Sequence, residues 1–195
     1  MIKRLFDIIF SSIGLLCLCW LFLLLAIWIK LDSKGPVFYR QIRVGRHNKD
    51  FSIYKFRTMR QNSDKEMLLT VGGHDSRITR SGYFMRKYKL DELAQLINVL
   101  KGDMSFVGPR PEVRKYVDMY SPEQMHVLDV RPGITSLASI KYRNENDLLE
   151  KAEDPEQCYI DIVMPDKLSI DLEYIRKSSL VYDIGLVLST VLHIV

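Results

Sequence analysis

Cysteine is scarce in this chain of 195 residues: Cys17 and Cys19 sit in an apolar run and Cys158 stands alone. No disulfide framework is readable from three such positions. The four histidines, His47, His74, His126 and His193, are scattered, and no Cys/His spacing matches a zinc site. Charge of one sign is also lacking. Lys and Arg number 28 against 24 Asp and Glu, a formal net charge of +4. That excess is too small to indicate nucleic acid, but it suits anionic lipid or a phosphorylated ligand. Internal repeats and low-complexity tracts are absent. The polar part is therefore read as cytosolic, and the length suits one domain, or one with a small appendage.

A more local absence says more. The stretch "IIFSSIGLLCLCWLFLLLAIWI" (8–29) holds no charge and no proline. A helix of about 22 residues reaches roughly 33 Å, enough for a hydrocarbon core of about 30 Å. A cleaved signal peptide would have a shorter apolar part and a small-residue cleavage site, and neither is found. Residues 1–33 are thus expected to form a membrane helix. Lys3 and Arg4 precede it, and Lys30, Lys34, Arg40, Arg43 and Arg46 follow it. The heavier downstream charge places the body of the protein in the cytoplasm. The upstream pair would keep the N-terminus there too, which requires a turn inside the bilayer, with Ser11, Ser12 and Gly14 available to serve it. The residues leave spanning and re-entrant insertion both open.

What is present from residue 34 to 195 predicts an α+β, mainly helical domain with one short β-hairpin. "VFYRQIRV" and "FSIYKFRTM" flank "GRHNKD" and carry β-branched and aromatic residues in partial alternation. Residues 60–82, with Gly72-Gly73, read as a loop with some helix. From Lys89 to Leu100, apolar residues fall at helical spacing, and Gly102 stands where such a helix would stop. Ser121, Pro122 and Gln124 carry the signature of a capping box opening a second helix. "RPGITSLASIKY" (131–142) reads as a turn and a short strand. Three short helices should follow, broken at Pro155 and Pro165. The apolar stretch 179–195 is expected to pack at the membrane edge.

Chemistry gathers around "YKLDELAQLINVLKGDMSFVGPRPE" (88–112). Asp91 and Glu92 fall in the first turn of the expected helix, off its apolar face. Acidic residues there are common and stabilising by a few tenths of a kcal/mol, about 0.3 or more, through the helix dipole. Their surroundings are less ordinary. Arg86 lies five residues before Asp91, and Arg110 sits between Pro109 and Pro111, each of which restricts its neighbour's backbone. A guanidinium held in one direction suits two-pronged contact with phosphate oxygens. A carboxylate attacking a phosphate meets repulsion of about 4 kcal/mol at 4 Å and an effective dielectric of 20. Arginines or a divalent metal must offset it. Two carboxylates could divide the labour, one attacking and one holding Mg²⁺.

With "KRLFD", "GPVFYRQIRVG", "FSIYKFRTM", "LDEL", "NVLKGDMSFVGPRP" and "VRPGIT" in this order, the chain resembles the bacterial sugar transferases, the monotopic polyprenol-phosphate phosphoglycosyl transferases. The resemblance implies transfer of a sugar-1-phosphate from a UDP-sugar to undecaprenyl phosphate with Mg²⁺ at the cytoplasmic face of the inner membrane. It makes Asp91 the nucleophile and Glu92 the metal-associated acid. Arg86 and Arg110 become phosphate ligands, and Lys55, Arg57 and Arg131 complete the expected substrate-binding set. UMP would leave and the sugar would keep its anomeric configuration. The resemblance also implies a re-entrant membrane helix, although Cys19-Trp20 stands where relatives typically carry Ser-Pro. The reading from another class is a non-catalytic, membrane-anchored scaffold subunit. Sugar identity, the glycan made and self-association into a homo-oligomer are left open.

Overall fold

The computed structural model describes residues 2–61 and 76–194, apart from the side chains at 191, 193 and 194. Most of the loop expected at 60–82 lies outside the described residues. The chain is mainly helical with little sheet, as the sequence predicts.

The apolar stretch forms two helices, α1 (Ile2–Cys17) and α2 (Cys19–Asp32), bent by 59° at their junction. Ser11, Ser12 and Gly14, read as available for a turn, lie inside α1, and the bend falls at Leu18. Among the described residues no one helix is long and apolar enough to cross a bilayer. No proline makes the bend, and helical hydrogen bonds continue through it from Leu18 to Gly14 and from Phe22 to Leu18. The two legs instead follow different surfaces. Buried Ser11 and half-buried Gly14 let α1 press on a later helix, where a Cβ at 14 would stand 3.2 Å from Leu96. Leu25 and Ile29 of α2 pack with Phe56, Met85 and Ala94.

Both outer ends of this pair are tied to the same body. At the first, Arg4 donates to the carbonyls of Val99 and Leu100, and Lys3 pairs with Asp183 at 2.5 Å. Asp7 is buried and accepts from Ser105 Oγ and the Phe106 amide. At the second, the Arg57 guanidinium donates to the carbonyls of Ser33 and Lys34. Asp32 accepts from the amide and hydroxyl of Ser81.

The expected hairpin forms from β1 (Phe38–Val44) and β2 (Asp50–Phe56), antiparallel, with Phe38 opposite Phe56. After it come α3 (Arg80–Lys87), capped by Thr79, a 3-10 turn (Leu90–Gln95) and α4 (Leu96–Lys101). Gly102 ends α4 in the left-handed conformation, as its position in the sequence suggests. Lys89 is also left-handed, at φ 55°. The backbone is redirected there, so the acidic pair opens a tighter 3-10 turn, where a regular α-helix was expected.

The second half starts with β3 (Ser105–Val107), α5 (Arg114–Val117), β4 (Gly133–Thr135) and α6 (Leu137–Lys141). The β3–β4 pair is parallel, and β3 was not foreseen. The Ser121–Gln124 capping box forms in both directions, at 2.8 and 3.2 Å. It opens a 3-10 turn (Gln124–Asp129) rather than the expected helix. Next are α7 (Glu145–Glu150) and α8 (Pro155–Cys158). A π-helical turn (Tyr159–Val163) joins α8 to α9 (Met164–Lys177), so Pro165 does not break the chain direction. Pro165 has no N–H for the carbonyl one turn back, and widening that turn absorbs the mismatch. The closing α10 (Leu180–Ile194) buries Leu186 and Asp183 and leaves Val181 and Leu188 exposed.

Candidate active site

The hairpin's second strand and the segment after it distribute their side chains between two tasks. Lys55 turns toward the acidic pair, and its ammonium lies 3.2 Å from Glu92 Oε1. Phe56 enters the core. Arg57 reaches back to the end of α2. Thr58 accepts from Arg86 Nε at 3.0 Å and so orients that arginine.

Arg110 is launched from a tight crossing. Gly108 donates to the Thr135 carbonyl and Gly133 to the Pro109 carbonyl. A Cβ on Gly133 would stand 2.1 Å from the Gly108 nitrogen, so only glycine permits the approach. Just past Arg110, Glu112 accepts from Arg43 at 2.8 Å, from the Val113 amide at 2.7 Å and from the Tyr159 hydroxyl at 2.5 Å. The turn is thereby held at both ends. Arg110 meets Glu92 with two prongs, Nη2 to Oε1 at 2.5 Å and Nη1 to Oε2 at 3.2 Å. Its side chain is 37% exposed, whereas Glu92 is only 13% exposed.

The two acids therefore differ in state. Burial works against ionisation of Glu92, but Arg110 and Lys55 outweigh it and hold the carboxyl well below the usual range. In return the Glu92 carboxylate strengthens the hold of Arg110 on its proton. Asp91 is 7% exposed, and its Oδ1 is buried without a hydrogen-bond partner. Burial first, then the neighbouring Glu92 charge, push its pKa up, while Lys55, Arg86 and Lys89 pull the other way. Burial also lowers the pKa of Lys55, and Glu92 partly restores it. An acceptor-only carboxylate oxygen left unpaired inside a ring of cations is costly unless something binds to it.

Of the residues expected from the sequence, Asp91, Glu92, Lys55 and Arg110 come together, with Arg86 close enough for its charge to act on Asp91. Arg57 and Arg131 are not brought into this cluster. Arg57 is buried against the end of α2, and Arg131 donates to the Gly102 carbonyl at the end of α4. Sequence reasoning gave no role to Thr58, Lys89 or Glu112. Their only signals were adjacency to Arg57, to the acidic pair and to Pro111.

A model of the bacterial sugar transferase family matches residues 1–195. The chain belongs to that family. Among curated relatives, the chain is 41% identical over 193 residues to UDP-N-acetylgalactosamine-undecaprenyl-phosphate N-acetylgalactosaminephosphotransferase of Aeromonas hydrophila, covering 97% of this chain and 43% of that protein. It is 37% identical over 195 residues to UDP-glucose:undecaprenyl-phosphate glucose-1-phosphate transferase of Escherichia coli (strain K12), covering 98% of this chain and 39% of the relative. The uncharacterized sugar transferase EpsL of Bacillus subtilis is 44% identical over 144 residues, 73% of this chain and 70% of that one. This sugar transferase chain thus spans well under half the length of the first two. The acid–arginine cluster lies inside the matched region of the family.

Proposed function

We propose that the chain transfers a sugar-1-phosphate from a UDP-sugar to undecaprenyl phosphate, as the initiating step of bacterial surface polysaccharide or glycan assembly. The contrast within the acidic pair carries this reading. Glu92 is ionised and clamped by Arg110, whereas Asp91 presents a buried, unpartnered oxygen within reach of the Lys55, Arg86 and Lys89 charges. A carboxylate with a raised pKa is a stronger nucleophile once ionised, and the neighbouring cations favour that form.

In this mechanism an Asp91 oxygen attacks the sugar-linked phosphorus. The bond from that phosphorus to the bridging oxygen breaks, its electron pair leaves with UMP, and an acyl phosphate bearing the sugar remains. An oxygen of undecaprenyl phosphate then attacks the same phosphorus and returns Asp91 as a carboxylate. No bond at the sugar carbon changes. Arg86 and Arg110 hold the phosphates in line and offset their charge.

The residues would accommodate Mg²⁺ at the donor's phosphates. Among the described residues no three His, Cys, Asp or Glu are grouped to hold a metal, but Mg²⁺ at phosphates often takes one or two carboxylates and keeps its waters. Glu92, held ionised beside Asp91, is the acid that would hold it. Glu92 would offer what remains after its contacts with Arg110 and Lys55. The ion would neutralise phosphate charge as a Lewis acid.

The membrane setting rests on exposed Leu16, Trp20, Leu23 and Leu24 around the bend, an uncovered apolar surface suited to lipid. Because both ends of the pair are tied to one body, the favoured arrangement is re-entrant, with the catalytic face in the cytoplasm.

The test is incubation with radiolabelled UDP-sugars, Mg²⁺ and undecaprenyl phosphate. Wild type should release UMP and form a phosphosugar adduct on Asp91 when the acceptor is withheld. Asp91→Asn should do neither. Release of UDP would move the reaction to the sugar carbon and overturn the mechanism.

A further inference from the structure

Below the turn that carries Arg110 lies another buried acid with an unpartnered oxygen and no part in the chemistry above. Asp171, on α9, is 4% exposed, and its Oδ1 has no hydrogen-bond partner. It lines a small cavity of about 20 Å³ together with Tyr120 and the 109–112 turn, closed on its apolar side by Val44 and Leu168. About 10–15 Å³ of such volume admits one water, provided two to four polar groups surround it. Here those groups are the Asp171 carboxyl, the Tyr120 hydroxyl and the backbone of the turn.

We propose that Asp171 and Tyr120 hold a buried water beneath Pro109–Glu112, and that the three together are a positioning element that aims Arg110 at Glu92 and the donor's phosphates. The orphaned oxygen is the first reason. A buried acceptor with nothing to accept from is destabilising, and a water in an adjoining polar cavity satisfies it. The second is the asymmetry of the turn's support. Glu112, Arg43 and Tyr159 fix one side of it, and the Gly108–Gly133 crossing fixes the start. The cavity lies under the middle, and a water bonded to the turn would stop the backbone at Arg110 from rocking into it.

The electrostatics agree. Burial first, then the Glu112 and Asp171 charges, keep Tyr120 protonated and able to donate. Burial raises the pKa of Asp171 to about 7, with Lys167 and the Ser136 hydroxyl partly opposing it. A carboxyl poised between its two forms can both donate to a water and accept from it. Tyr174, Arg43, Arg110 and Glu112 also face this region, and Glu145 pairs with Lys167 at 2.8 Å.

This inference rests on the proposed phosphate-binding role of Arg110, so its test has one arm that needs no turnover. An experimental structure of the full chain in lipid nanodiscs should show an ordered water within hydrogen-bond distance of both Asp171 Oδ1 and Tyr120 Oη. A cavity closed by a moved side chain, or Asp171 Oδ1 satisfied by a protein donor, overturns the proposal whatever the enzyme does. In kinetics, Asp171→Leu should raise the donor KM about tenfold with kcat within about threefold, and Asp171→Asn should stay within about twofold of wild type on both. Equal KM for Asp171→Leu and wild type, or an asparagine variant as impaired as the leucine one, would sink the idea. Tyr120→Phe removes one hydroxyl only and covers the case in which the leucine variant does not fold. It should raise KM in the same direction, and an unchanged KM counts against the proposal. Should wild type release no UMP at all, the proposed function fails while the water remains open to direct observation.

Discussion

At the scale of single residues, the pair Asp91–Glu92 acquires two characters from its neighbours rather than from its own chemistry. Arg110 and Lys55 fasten Glu92, while Asp91 is left with a buried free oxygen. Replacing Arg110 by Lys keeps the charge but loses the two-pronged geometry. We expect Arg110→Lys to lower kcat/KM by about 10- to 100-fold, on the order of 1.4–2.7 kcal/mol, in assays of UMP release. A variant within twofold of wild type would deny the geometry any role. The pH profile has a defined sign. In the proposed mechanism Asp91 attacks as a carboxylate, and its pKa is raised by burial and by Glu92. Activity should therefore fall with acidification above the ordinary carboxylate range, and kcat/KM measured against pH will locate that limb. Much of this was legible in the sequence, because adjacent acids and a proline-flanked arginine are local patterns. Their ionisation states were not, since they depend on Lys55, which is 37 positions away from Glu92.

At the scale of elements, the hairpin, the stop at Gly102 and the capping box at Ser121 all follow from short-range rules and are found in place. The departures come where packing or backbone geometry overrides the local signal. Lys89 adopts a left-handed conformation that tightens the acidic turn. Pro165 is absorbed by a π-turn. β3 gains its strand character only by pairing with β4, some 28 residues later. That pairing positions Arg110, and it depends on two glycines meeting. Gly133→Ala would set a methyl 2.1 Å from the Gly108 nitrogen, against backbone that has nowhere to go. We expect it to cost about 1–3 kcal/mol in stability and to impair donor binding more than Gly185→Ala, where an added Cβ meets nothing within 4 Å. Thermal melts and KM values on the two variants would distinguish them.

At the scale of the whole molecule, the sequence suggests a membrane part at 1–33 and a separate catalytic part after it. Across that boundary Leu25 and Ile29 pack with Phe56, Met85 and Ala94. A turn was legible from the charged flanks but its position was not, because the bend follows two long-range packing surfaces and no proline marks it. Legs of about 24 and 21 Å meeting at that angle put the apex roughly 11 Å from the line joining their ends, short of a 30 Å hydrocarbon core. An epitope tag at the N-terminus should accordingly be protected in right-side-out vesicles, and external labelling would refute re-entry. Stability should also depend on pH through Asp171. Its folded pKa of about 7 exceeds the ordinary 3.8, so its contribution is full below the unfolded value and lost as pH rises through about 7. The slope is at most about 1.4 kcal/mol per pH unit. Melting temperatures from pH 6 to 8 should fall in wild type and stay flatter in Asp171→Asn.

The fastening of α2 by Arg57 has one more consequence. The residue next to Arg57 orients Arg86, so whatever unravels the end of that helix also disturbs an arginine beside the acids. Lipid that keeps α2 wound would act as a thermodynamic ligand of the native state. Delipidation should then depress melting temperature and turnover together, and trimming the first 33 residues should leave an aggregating fragment instead of a soluble enzyme.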